Sequence, residues 1–302
     1  MPRADRLAER LARSALALTG HLSPAVAARL AAPRFSDPTA RSSLRPDEEP
    51  LMRRAIRTPL PVRGKTAVAY HWGDGERPVL LMHGWRSRAS RFHVLAGALI
   101  ERGLSPVAFD APGHGEAAGR GTSALEYREM AAELQRRHGR FTAVVGHSVG
   151  GLGAYLAVRD VLTTRRLATI AAPARLGDVF DSFCALAGLG ERVRPVLRRR
   201  LEEGLFAGEP DVWNHCSPVH DPAAITPPVL IVHDRDDDMV PYAAAERLAA
   251  AHGDHADLLT TRGLGHRRIL TDPDVTAAVV AFAAADDAAC HGDGGTAHGL
   301  TA

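Results

Sequence analysis

A serine stands between glycines in Gly146-His147-Ser148-Val149-Gly150, after an apolar run and before a segment of small residues. The run predicts a buried strand and the segment predicts a helix, which is the context in which a G-x-S-x-G sequence holds a nucleophile. Such a turn strains the backbone of its tip residue, and the flanking glycines remove Cβ atoms that would collide there. The pattern predicts Ser148 as a nucleophile, with the Val149 N–H at a helix N-terminus that stabilises an anion. A plain strand–helix junction is the alternative.

Two further segments carry groups that acyl transfer needs. Trp85 follows His83-Gly84 at the end of an apolar run, and its N–H is the candidate second donor to an oxyanion. A glycine turn with a packing tryptophan is the alternative. His266 lies in "GLGHRRIL", where Gly263 and Gly265 allow a loop to project the imidazole toward the sheet. His266 is therefore the candidate general base.

An acidic loop supplies the candidate partner of that histidine. Four acids fall within five residues of "VHDRDDDMVP", after a buried strand. Most of them are expected to be solvated. Asp237 is our choice because of its position relative to the Val240-Pro241 turn, and Asp236 is second. The chain order Ser148, Asp237, His266 matches the order of nucleophile, acid and histidine that is expected when the nucleophile lies on a strand–helix turn of an α/β sheet.

The elements that must position these residues follow from apolar runs of strand length. Short runs begin at Ala67, Val79, Pro106, Thr142, Leu167, Pro228 and Ala256. Most of them alternate with helical segments, which predicts right-handed crossovers and a mostly parallel sheet covered on both faces. The prediction is an α/β fold.

The alternation of predicted strands and helices divides the chain into three segments. Residues 1–56 are predicted as an N-terminal helical extension, residues 57–285 as the α/β domain, and residues 286–302 as a disordered tail. Residues 174 to about 225 carry helical patterns without a strand, which predicts a helical cap inserted in the sheet. Phe180 and Phe183 lie on the apolar face of its first helix and are the candidate substrate-binding residues.

Composition excludes several classes of function. A net charge of +2 and an aromatic content of 5% argue against a nucleic-acid surface. No apolar run approaches the roughly 20 residues of a membrane span. The three scattered cysteines do not form a metal-binding or disulfide pattern, so we expect a cytoplasmic protein with no metal and no organic cofactor.

Taken together, these blocks resemble the α/β-hydrolase superfamily in its serine-hydrolase form. The similarity covers about Val62 to Ala285 and rests on "HGW", "FDAPGHGE", "GHSVGG", "VHDRDDDMVP" and "GLGHRRIL" in the family order. It implies a three-layer fold with an eight-stranded, mostly parallel sheet, and a triad of Ser148, His266 and Asp237 under a helical cap. Many relatives have other residues at the positions of Asp234, Arg267 and Arg268. The resemblance therefore does not indicate a particular substrate.

The predicted activity is hydrolysis of a carboxylic ester or related acyl bond through an acyl-enzyme. The expected partner is a small-molecule acyl substrate with an apolar acyl part; the oligomeric state is left open. A peptidase or aminopeptidase is the first alternative, and it requires a carboxylate for the substrate amine, with Glu202, Glu203 and Glu209 as candidates. A non-catalytic ligand-binding module is the second.

Overall fold

The sheet of this protein has eight strands in the order β1-β2-β4-β3-β5-β6-β7-β8. The computed structural model describes residue 16 and residues 18–38 and 41–285. The strands are β1 (Ile56–Val62), β2 (Lys65–His71), β3 (Pro78–Met82), β4 (Ser105–Asp110), β5 (Ala143–His147), β6 (Leu167–Ile170), β7 (Val229–Asp234) and β8 (Ala256–Thr261). β2 pairs antiparallel with β1 and β4, and the pairs from β4 to β8 are parallel. The predicted α/β class and eight-stranded, mostly parallel sheet are confirmed.

Helices cover both faces of the sheet. They are α1 (Pro24–Ser36), α2 (Glu49–Arg53), α3 (His93–Glu101), α4 (Ala124–His138), α5 (Val149–Asp160), α6 (Leu176–Ala187), α7 (Arg194–Glu203), α8 (Val212–His215), α9 (Ala243–His252), α10 (Gly265–Arg268) and α11 (Pro273–Ala284). One core cluster packs α4, α5 and α9 on the sheet, and a second packs α3 and α11 on the opposite face. The strands β3 to β7 are buried throughout, as parallel strands between two helical layers must be.

Strand β1 has no counterpart among the runs identified in the sequence. It contains Pro59 and Pro61, and its residues alternate between exposed and buried at the edge of the sheet. Proline is tolerated at an edge because one side of the strand has no neighbour to accept a ladder hydrogen bond. A search for continuous apolar runs therefore misses it.

The segment between β6 and β7 is helical. It holds α6, α7 and α8, and Pro195 lies in the first turn of α7 rather than within the helix. Proline is favoured there because the first N–H groups of a helix have no intrahelical partner. These helices form a third apolar cluster with α1. The assignment of this segment as a cap stays a prediction, and the predicted helix at the start of the chain and the tail 286–302 lie largely or wholly outside the described residues.

No helix of the described residues combines the length and the apolar character that crossing a membrane requires.

The backbone of helix α5 packs directly against the backbone at the end of β3. A Cβ atom at Gly150 would lie 2.1 Å from the Met82 carbonyl oxygen and 2.5 Å from that of His83. Neither carbonyl is the end of a flexible side chain, so neither moves freely. Gly150 thus sets the distance between the first turn of α5 and the loop after β3.

Gly150→Ala is expected to lower the free energy of unfolding by about 1–3 kcal/mol, because it overpacks this contact. Gly97→Ala in α3 is the matched control, since nothing lies within 4 Å of a Cβ at that position. Removing a glycine from a helix interior there should be neutral or stabilise the fold by up to about 1 kcal/mol. Urea unfolding of both variants measures the difference. Similar effects of the two substitutions would contradict the close packing.

Candidate active site

Ser148 occupies a single-residue junction between β5 and α5. Its φ of 54° and ψ of −126° lie outside the regions that side chains ordinarily adopt. A Cβ atom at Gly146 would lie 2.5 Å from the Gly150 carbonyl oxygen, so the junction closes because these positions carry no side chain. The Ser148 N–H donates to the Ile170 carbonyl at 2.9 Å, which ties the junction to the neighbouring strand β6. The strained backbone is thus held by the sheet on one side and the helix on the other.

The loop after β3 passes directly over this junction. A Cβ atom at Gly84 would lie 2.8 Å from the Ser148 Cβ, so Gly84 brings the backbone of Trp85 to the nucleophile position. His83 holds the loop: its Nδ1–H donates to the Gly84 carbonyl at 2.8 Å and its Nε2 accepts the Ala111 N–H at 3.1 Å. Val149 is the first residue of α5, where N–H groups have no intrahelical acceptor. The two candidate oxyanion donors therefore belong to the two segments that adjoin Ser148.

Asp237 and His266 are joined by a hydrogen bond. The His266 Nδ1–H donates to Asp237 Oδ2 at 2.8 Å. The other carboxylate oxygen, Oδ1, accepts the N–H groups of Met239 and Val240, each at 2.8 Å. The Asp237 side chain is fully buried. Burial opposes its ionisation, but the hydrogen bond and charge of His266 and the two backbone donors outweigh it, so the pKa of Asp237 is lowered.

The neighbouring acids brace the loop that carries His266. Asp236 Oδ2 accepts the Gly263 N–H at 2.8 Å, and Asp234 Oδ2 accepts the Leu264 N–H at 3.0 Å. The same Asp234 oxygen accepts the Thr261 hydroxyl at 2.7 Å. Asp236, the second choice of the sequence analysis, therefore contacts the chain before His266 rather than its imidazole.

His147 supports His266 from the opposite side. Its Nε2–H donates to the His266 carbonyl at 2.9 Å, and the centroids of the two rings lie 4.8 Å apart. Burial, with the nearby His266, lowers the pKa of His147 to about 3, so this ring is neutral. The His147 ring therefore lies beside the candidate site, although His147 directly precedes Ser148 on a tight turn.

The Asp110–Glu116 turn, part of the "FDAPGHGE" block, holds the loop after β3 through hydrogen bonds. Asp110 is buried and accepts the N–H groups of Ala89 at 2.7 Å and Glu116 at 2.8 Å. It also accepts the Tyr70 hydroxyl at 2.9 Å. Burial and the Asp110 charge raise the pKa of Tyr70, which keeps that hydroxyl a donor.

Ser148 Oγ forms no hydrogen bond with a described residue, so the structure has no hydrogen bond between Ser148 Oγ and the His266 imidazole. Catalytic hydrogen bonds are often long without substrate and tighten in the complex. The two residues are still neighbours through His147, which precedes Ser148 and contacts His266.

Residues 79–279, well over half of the chain, match the model of the alpha/beta hydrolase family. The chain belongs to the α/β-hydrolase family. No curated protein matches this hydrolase in sequence.

Solved structures share its fold. An esterase from Pyrococcus furiosus is 16% identical with a TM-score of 0.61, over 80% of this hydrolase and 97% of the esterase. A thioesterase domain from the curacin biosynthetic pathway is 16% identical with a TM-score of 0.56, over 76% and 99%. A meta-cleavage product hydrolase from Pseudomonas fluorescens is 18% identical with a TM-score of 0.54, over 74% and 96%. At these identities the likeness establishes the fold alone.

A cavity of about 130 Å³ opens beside His266 in this hydrolase. His147, Trp85 and Leu270 contribute to its wall. So does the segment that we call the N-terminal strap, residues 41–48, through Ser42, Arg45 and Glu48. The sequence analysis gave the strap no role, because its residues form neither an apolar run nor a motif.

Phe180 and Phe183, the candidate substrate-binding residues, do not line this cavity. Their rings pack on Phe35 of α1, at centroid distances of 6.2 Å and 5.3 Å. Phe180 also contacts Trp213 at 5.2 Å. The rings of Phe180 and Phe183 are therefore packed against other helices, and neither residue lines the cavity beside His266.

Three of the buried histidines around the site, His83, His114 and His147, predict that stability falls with acid. Burial, the largest cause, lowers the pKa of His83 to about 4 and those of His114 and His147 to about 3. In the unfolded chain each binds a proton near about pH 6.5. Below that pH the unfolded state holds more protons, so the free energy of unfolding decreases by up to about 1.4 kcal/mol per pH unit for each histidine.

Urea unfolding between about pH 7 and about pH 5 measures this slope. His114→Gln should make the slope shallower by one histidine's share, because one of the neutral buried rings is then missing. An unchanged free energy of unfolding across this window in the wild type would contradict the assignment of neutral rings.

Proposed function

We propose that this hydrolase cleaves a carboxylic ester or related acyl bond through a triad of Ser148, His266 and Asp237. The observation that carries the proposal is the 2.8 Å hydrogen bond between His266 Nδ1 and a buried carboxylate, beside a serine on a strained strand–helix junction. A carboxylate on Nδ1 fixes the tautomer in which Nε2 is free to accept a proton, which is what a general base for serine requires.

The reaction then proceeds in two halves. Ser148 Oγ attacks the acyl carbon while His266 Nε2 takes its proton, and the negative charge develops on the carbonyl oxygen. The N–H groups of Trp85 and Val149 stabilise that charge. The imidazolium, stabilised by ionised Asp237, returns the proton to the leaving group, so the ester bond breaks and an acyl-serine remains. Water activated by His266 cleaves the acyl-serine, releases the acid and restores the enzyme.

The alternatives gain no support from the geometry. Glu202, Glu203 and Glu209, the candidate carboxylates for a peptide amine, pair with Trp213, Arg199 and Arg128, and none lines the cavity. A non-catalytic module does not require a buried carboxylate on the histidine. The expected cytoplasmic location belongs to the same proposal, and the free thiols Cys184 and Cys216 accord with it.

Hydrolysis of 4-nitrophenyl butyrate tests the triad through its acid. Asp237→Asn keeps the shape of the side chain but loses the charge and offers His266 the wrong hydrogen bond. We expect kcat to fall by roughly 10³–10⁴-fold, as it does when the triad acid of a serine protease is replaced by asparagine. Asp236→Asn should cost far less, because an amide oxygen still accepts the Gly263 N–H.

Asp238→Asn is the matched control, because Asp238 is exposed and its substitution removes the same charge from the same loop. Ser148→Ala should abolish turnover. Equal losses in Asp236→Asn and Asp237→Asn, or a Ser148→Ala variant that keeps its activity, would refute the proposed roles.

A further inference from the structure

The cavity beside His266 has an unusually basic wall. Four guanidinium groups line it: Arg45 from the strap, Arg86 and Arg91 from the segment after β3, and Arg267 directly after His266. A single carboxylate, Glu48, lines the same cavity. The overall charge of the chain is +2, so this concentration of one sign is a local property of the site.

Glu48 is occupied within the protein. Its side chain is fully buried and accepts the Ser90 hydroxyl at 2.6 Å and the Arg45 N–H at 3.2 Å. It also forms ion pairs with Arg91 and, at 3.9 Å from Nε, with the Arg45 guanidinium. Asp47, the nearest other acid of the strap, is 62% exposed and lies 3.7 Å from His93. The lining residues of the cavity therefore include more guanidinium groups than carboxylates.

The guanidinium groups crowd one another. Burial is the main cause that lowers the pKa of Arg91 to about 10; the charges of Arg45 and Arg267 lower it further, whereas those of Asp47 and Asp110 raise it. Arg91 is thus flanked by positive charge from the strap and from the His266 loop. An anion between them would relieve this repulsion and form charge-assisted hydrogen bonds.

Arg267 is available for such a contact. Among the described residues no carboxylate lies within ion-pair distance of its guanidinium, whose hydrogen-bond contact is with Met239 Sδ at 4.0 Å. Arg86 has a φ of 54°, a left-handed conformation that a bulky side chain rarely adopts. Its Nε–H donates to the Pro38 carbonyl at 3.0 Å, which holds the strained residue at the rim.

The size of the cavity limits the ligand. About 130 Å³ is close to the cavity of about 150 Å³ that accommodates benzene in another protein. A short chain ending in a charged group fits this space. His266, His147 and Trp85 line the same cavity, so a group bound there lies beside the proposed general base, although Ser148 itself is not a lining residue.

We propose that this cavity binds a carboxylate or phosphate that the substrate carries a few bonds from its scissile acyl carbon. Arg45 and Arg267 are the specificity-determining residues, and Arg86 completes the rim. This replaces the expected apolar acyl group, because Phe180 and Phe183 lie in the packed helices instead. The inference rests on the proposed function of Ser148 for its reaction, but the anion site is testable without turnover.

Two matched pairs of esters test whether the enzyme prefers an anionic substrate, and whether the charge belongs on the acyl group or on the leaving group. The mono-4-nitrophenyl ester of glutaric acid is compared with 4-nitrophenyl pentanoate, which places the charge on the acyl side. 4-Acetoxybenzoate is compared with its methyl ester, which places the charge on the leaving group. We expect kcat/KM for the anionic member of one pair to exceed that of its neutral partner about tenfold or more, the equivalent of one charge-assisted hydrogen bond.

Variants assign the preference to the arginines. Arg45 and Arg267 are exposed. Arg45→Gln and Arg267→Gln should each reduce the ratio of anionic to neutral kcat/KM about fivefold or more. Arg262→Gln is the matched control, because it removes the same charge from an exposed residue outside the cavity. Arg91 is left unchanged because it anchors Glu48.

Binding to Ser148→Ala separates this inference from the proposed function. Glutarate and inorganic phosphate are titrated calorimetrically at constant ionic strength, and the ligand that binds identifies the anion. Binding that is lost in Arg267→Gln and kept in Arg262→Gln supports the site even if no ester is hydrolysed. Absence of binding by both anions, together with equal kcat/KM within both ester pairs, would overturn it.

Discussion

The backbone at Ser148 is the constraint on which the rest of the structure depends. Strand β5 must become helix α5 within one residue, which forces a φ of 54° on a residue that carries a side chain. The strain persists because the surroundings leave no other arrangement. Gly146 and Gly150 allow the helix to approach the sheet, Gly84 allows the next loop to approach the serine, and β6 accepts the Ser148 N–H. One side chain is thereby lifted to the carboxyl edge of the sheet, where the other functional groups converge.

Buried carboxylates then fix the loops at that edge. Asp110 holds the loop after β3 through backbone N–H groups, and Asp234 holds the loop before His266 in the same way. Asp237 does both, since one oxygen accepts two backbone donors and the other accepts the His266 N–H. A carboxylate with several donors stays ionised while buried. Asp237 therefore holds one ring nitrogen of His266, and His147 donates to the His266 carbonyl oxygen. Nε2, the other ring nitrogen, forms no hydrogen bond with a described residue.

Most of the sheet was predictable because each buried strand is a continuous apolar run, whereas β1 was missed because its prolines and alternating exposure are those of an edge strand. Asp237 was chosen for its place before Val240, and the structure has the Val240 N–H on its carboxylate. Periodicity showed that Phe180 and Phe183 share a face, but not that α1 covers it. The basic cavity was invisible in the sequence because Arg45, Arg86 and Arg267 come from three segments that only the fold brings together.

The central claim is that Ser148 is an activated nucleophile. Treating the folded protein with a fluorophosphonate and mapping the adduct by peptide mass spectrometry tests it directly. The account predicts a single phosphonylated residue, Ser148, and a sharp decrease in the rate of labelling in His266→Ala. A well-folded wild type that is not labelled, or an adduct on another residue, would contradict it.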